Sequence, residues 1–187
     1  MVIGRHEPKQ AMKTTFKEAI AIGLDEALTA LEESFHDLTD EQAWSKALPG
    51  RHNITTIVMH LLMSVDVCAC RFQTGRAMMQ HEDRFDIWTH SEQELRGKQG
   101  DLPTVADMLS KLRGLRQAAV RNLEQATEED LLGPRSCEQW WTETGRTSAD
   151  AFMRVIGHTQ AHVRQIWLMR GAMALTDKDG WPQQHWA

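Results

Sequence analysis

Tyrosine is absent from the 187 residues, and cysteine and proline are scarce, at three and five. The cysteines are Cys68, Cys70 and Cys137, an odd number without a C-x-x-C pair, which argues against a disulfide framework. No apolar run approaches the roughly 18 residues that would suggest a membrane span. The first residues have no apolar signal-peptide core, so the expected location is the cytoplasm. Positive charge is not in excess. A net charge of -5 argues against general affinity for nucleic acid or an anionic membrane. H-E-x-x-H, P-loop, G-x-G-x-x-G and G-x-S-x-G motifs are all missing. So are internal repeats and strand-like alternation. Nothing functional follows from the lack of tyrosine.

What the sequence does hold is helical periodicity. A first segment, from about residue 14 to 35, sets Phe16, Ile20, Leu24, Ala27, Leu31 and Phe35 on one stripe. A short helix follows, because Thr39 and Gln42 fit a capping box. A second long helix is expected from Asn53, a good N-cap, to about Phe72. Its middle, Ile57 to Met63, is apolar almost all round and predicts burial on more than one side. The third starts after Pro103, with Thr104 as N-cap and Asp107 three residues on. Its stripe is Val105, Leu109, Leu112, Ala119 and Leu123. The fourth starts at Thr147 or Ser148. Gly171 is placed just past its end and Arg170 in its last turn.

Two connections read as irregular. One covers 74–102, with a short helix near 85–95, and its length marks it as a candidate cover for a functional site. The other covers 127–146 and carries Trp140 and Trp141. The chain therefore reads as one all-α domain over 1–187. It is an antiparallel four-helix bundle at about 14–171 with extra short helices in the connections, and a polar tail at 175–187.

Histidines supply the candidate chemistry. His158 and His162 stand four residues apart, so on a helix they share a face with Cβ atoms roughly 6 Å apart. His60 lies in the most apolar part of the second helix, on the face of Thr56, Ser64 and Val67. Burying an imidazole there costs free energy unless its nitrogens find partners. A metal shared by His60, His158 and His162 would satisfy one nitrogen on each ring. Three neutral imidazoles plus a water suit Zn²⁺, and also Ni²⁺ or Fe²⁺. Gln165 shares the face of the pair and can orient a ligand ring. Spacing leaves the bland alternative open, in which each is an ordinary hydrogen-bonded core histidine.

The residues Leu38 to Gln42, Pro49-Gly50, Asn53-Ile54 leading to His60, and then His158-x-x-x-His162-x-x-Gln165-Ile166 ending in Arg170-Gly171, resemble the DinB/YfiT-like superfamily of metalloenzymes. The order and separations fit from about residue 14 to 171. The resemblance implies an antiparallel four-helix bundle with an unusual connection between its second and third helices. It implies a three-histidine metal site, here His60, His158 and His162, holding zinc or nickel. It also implies a homodimer. Some relatives are transferases or isomerases that use low-molecular-weight thiols such as mycothiol or bacillithiol.

Three functional classes follow. The first is a metal-dependent enzyme, a thiol S-transferase or a hydrolase, in which the ion lowers the pKa of a bound thiol or water. Its small-molecule substrate would enter past Arg154, one turn before His158, and past Trp141. The bland readings are a solvated arginine and a tryptophan that packs a loop. The second is a non-enzymatic, stress-associated module with a structural metal. The third, di-iron oxygen chemistry, needs two E-x-x-H motifs, and only Glu33 to His36 provides one. His52 has two readings, a place near the site or, preferred, service in the turn before the second helix, and Cys68 and Cys70 read as buried core thiols.

Overall fold

Among the described residues, threonine opens five of the six α-helices in the same way. The structure, a computed structural model, describes residues 14–70, 103–133 and 147–175. In each of these five helices the N-cap threonine accepts the N–H three residues on, and the side chain there accepts the threonine N–H. The pairs are Thr15/Glu18 on α1 (Phe16–Glu33), Thr39/Gln42 on α2 (Asp40–Trp44) and Thr104/Asp107 on α4 (Val105–Gln125). Thr127/Asp130 opens α5 (Glu128–Leu132) and Thr147/Asp150 opens α6 (Ser148–Ala172). Each box satisfies two of the backbone groups a helix start leaves unpaired. Asn53 caps α3 (Ile54–Val65) by accepting Thr56 N–H at 2.8 Å.

The described residues are all-α, without a β-strand. α1 packs on α4 and α6, and α3 packs on the same two helices from the other side. Lys17 Nζ donates to Glu124 O and Ala126 O, while Arg113 reaches Glu32, so α1 and α4 run in opposite directions. Gly23 faces Ile156, and Arg170 Nη1 donates to Ser34 O, so α1 and α6 run the same way. The core is a continuous apolar cluster that includes Leu24, Leu28, Leu31, Met59, Leu62, Met108, Leu112, Phe152 and Ile166. No helix among the described residues is long and apolar enough to cross a membrane.

Several expectations shift. Phe16 is half exposed and is not part of the core stripe. The first turn of α1 meets the end of α4 through Lys17, which leaves Phe16 on the outer side. The second long helix is α-helical only to Val65. A π-helical turn, Asp66–Cys70, follows, which breaks a simple wheel beyond that point. The connection after Thr127 is not wholly irregular, since α5 lies within it. Gly171 is inside α6, not past its end. There Leu175 N–H bonds Arg170 O and Ala174 N–H bonds Gly171 O, and Ala174 takes φ +56°. This is a Schellman stop with alanine in the left-handed position. The burial of Arg170, which ties α6 to the end of α1, extends the helix past the glycine. The whole 74–102 connection with its expected short helix, Trp140, Trp141 and the tail after Leu175 lie outside the described residues.

Candidate metal centre

Helix α3 brings His60 to the site, and α6 brings His158 and His162. α3 is buried on most sides, as its apolar run predicts, but the stripe of Thr56, His60, Met63 and Ser64 is only partly buried. That stripe faces α6 across its own partly buried positions, His158 and His162. The tertiary fold thus brings together three rings that are 98 and 4 residues apart in the chain.

His158 Nε2 stands 3.0 Å from His60 Nε2 and 3.0 Å from His162 Nε2. The ring centroids are 4.6 to 5.2 Å apart, and the rings lie nearly edge to face, at 76° to 86°. All three ligand atoms lie within 4.8 Å of one another. On the other side of His162, Gln165 Oε1 is 2.9 Å from Nδ1. With the proton on Nδ1, that N–H donates to Gln165 and leaves the Nε2 lone pair facing the other two rings.

The donor set fits one divalent cation. Ligand nitrogens 2.0–2.1 Å from a tetrahedral ion stand about 3.3 Å apart, close to the two separations at His158. Burial, reinforced by the neighbouring charges of His158, His162 and His52, pushes His60 down from 6.5 to about 4. Burial, then His162 and Arg154, holds His158 below its ordinary value. Both rings are therefore neutral at pH 7, the form that binds metal. Neutral nitrogens with converging lone pairs repel one another unless a cation or proton sits between them.

Arg154 is exposed, and its charge bears on His158, which places it at the rim. Trp141 lies outside the described residues. His52 acts on His60 electrostatically, which favours its place near the site over the turn reading. The only sequence signal was its place one residue before the cap of the His60 helix. Cys68 and Cys70 are buried thiols, as expected. Burial, helped by Asp66 and opposed by Arg121, pushes the Cys70 thiol up to about 12, so it is not a nucleophile near neutral pH.

No curated protein matches the chain. The sequence pattern of the family described as Mycothiol-S-transferase matches residues 20–174, which hold all three histidines and Gln165. That family lies within the DinB/YfiT-like superfamily that the sequence motifs resemble. The match covers most of the chain, so the protein belongs to the mycothiol S-transferase family.

Proposed function

We propose that this protein is a metal-dependent thiol S-transferase with a catalytic centre of His60, His158 and His162. The carrying observation is the convergence of three imidazole Nε2 atoms at one partly exposed point. Family membership supports a small thiol as one substrate. When bound, the ion supplies a lowered thiol pKa, and so a thiolate near neutral pH. The chain's own residues do the rest. Gln165 holds His162 in the tautomer that turns Nε2 toward the site. α3 and α6 set the three rings without backbone distortion. Arg154 meets an anionic group on the second substrate at the rim. In the transfer, the thiol loses its proton to solvent and a sulfur–carbon bond forms. The bond from that carbon to its leaving group breaks at the same time, and the leaving group departs with the electron pair.

The bundle itself is part of this proposal. α1 and α6 run one way and α3 and α4 the other, closing a four-helix bundle around the site. Opposed contacts of α1 with α4, and matched contacts of α1 with α6, support it. Zinc or nickel as the ion and a homodimer enter from the family resemblance, and a cytoplasmic location from the cysteine usage.

The test is metal analysis of purified wild type beside His158→Ala, with a thiol-transfer screen before and after chelation. Stoichiometric metal in the wild type alone, with chelator-sensitive transfer, is the expected outcome. Wild-type protein without metal would refute the site. Metal without any transfer, together with unfolding on chelation, would favour a structural ion.

A further inference from the structure

A second cluster of charged side chains lies on α1 and α4. It surrounds a cavity of about 450 Å³ lined by Glu32, Arg113, Arg116, Gln117, Val120 and Arg121. No residue of α3 or α6, the helices of the histidine centre, lines it. All but Glu32 come from α4. At 100° per residue Arg113, Gln117 and Arg121 fall within about 80° of one another, and Arg116 and Val120 adjoin the same arc. One helix therefore lines a single cavity with three guanidinium groups and a carboxamide.

Two of those guanidinium groups are held in place from α1. Glu32 Oε1 accepts from Arg113 Nη2 at 2.7 Å and from its Nε at 2.8 Å. Glu32 Oε2 stands 3.5 Å from Arg116 Nη1. Arg116 also donates to Asp25 and, at 2.9 Å, to Thr29 Oγ1. Arginines fixed in this way lose little freedom when a further acceptor arrives. Arg121 differs. It is exposed, and no carboxylate among the described residues forms an ion pair with it. Three guanidinium groups thus face one lining carboxylate, and one positive charge is left over even with Asp25 counted. This local excess runs against a net charge of -5 for the chain. Exposed ion pairs add little to stability, so stability does not account for the arrangement.

We infer that this cavity is a binding site for a phosphate monoester. Such a group carries about -1.5 to -2 charge at pH 7, which matches the excess of three guanidinium groups over one carboxylate in the lining. Its three terminal oxygens can accept from Arg121, from Gln117 and from the Arg113 N–H groups that Glu32 leaves unused. A monocarboxylate brings one charge and two oxygens, and leaves some of these donors unmet. The volume lies in the range of small-molecule sites, and Val120 offers apolar contact to the organic part of the ester. The inference goes beyond the transferase centre and does not depend on it.

The test is isothermal titration calorimetry of the full-length protein with phenyl phosphate, for which saturable binding is expected. Arg121→Gln, at an exposed position, is expected to weaken it about tenfold, the range for a hydrogen bond to a charged group. Gln117→Leu is expected to weaken it roughly threefold. Arg154→Gln, at the rim of the histidine centre, is expected to leave it unchanged. Benzoate is expected to bind more weakly than phenyl phosphate. Absence of saturable binding at millimolar phenyl phosphate overturns the inference, and so does wild-type affinity in Arg121→Gln. Loss of binding in Arg154→Gln alone overturns it too, because the phosphate would then sit at the histidine centre. Equal affinity for benzoate overturns the assignment to a phosphate.

Discussion

The 2.9 Å contact of Gln165 with His162 decides which nitrogen of that ring faces the site. Groups that orient a metal ligand in this way typically change affinity 10- to 100-fold when removed. Gln165→Leu is therefore expected to weaken metal binding by roughly that factor, and Gln165→Glu to retain it, measured by chelator competition. The metal-free protein should also respond to acid. His60 titrates near 6.5 when unfolded and is pushed down to about 4 in the fold. Between those values the unfolded chain binds a proton that the native state does not, so stability falls as pH drops through that window. The half-buried ring is screened by solvent, which makes the slope shallow. His60→Gln should flatten it in thermal melts of chelator-treated protein. The three histidines and Gln165 were legible in the sequence because helical spacing and apolar context mark them. His52 was less legible, because its bearing on His60 depends on how the turn before α3 folds back on the helix.

At the scale of the element, the capping boxes explain why helix starts could be read from the sequence. A threonine with an acid or amide three residues on is a local code. Asn53, Thr39, Thr104 and Thr147 all cap where the spacing predicts. Thr147→Ala should lower stability by about 1 kcal/mol in urea unfolding, because it frees a backbone donor at the start of the helix that carries two site histidines. Helix ends are less legible, as Gly171 shows. The left-handed residue is Ala174, at φ +56°, and its Cβ makes that conformation unfavourable. Ala174→Gly is expected to raise stability by about 1 kcal/mol in the same assay. The end of α6 was displaced because Arg170 is fully buried and bonded to Ser34, a contact 136 residues away that no local pattern encodes.

At the scale of the whole molecule, the apolar core and the histidine centre are separate sources of order. The core runs through α1, α3, α4 and α6, and none of the three histidines belongs to it. Metal removal should therefore leave far-ultraviolet helix content unchanged while it lowers the melting temperature. An ion at about 100 times its dissociation constant adds about 2.7 kcal/mol through mass action. Loss of helix on chelation would instead mean that the ion holds the fold together.

The sequence by itself determined the all-α class, most helix starts, the identity of the three histidines and the family. Each of these is carried by short-range spacing or by an ordered set of motifs. Tertiary structure decided the rest. It set α1 and α6 running the same way, left Phe16 outside the core, and brought His60 to 3.0 Å from His158. These depend on which surfaces of distant segments meet, and periodicity along a chain shows a face without showing what covers it.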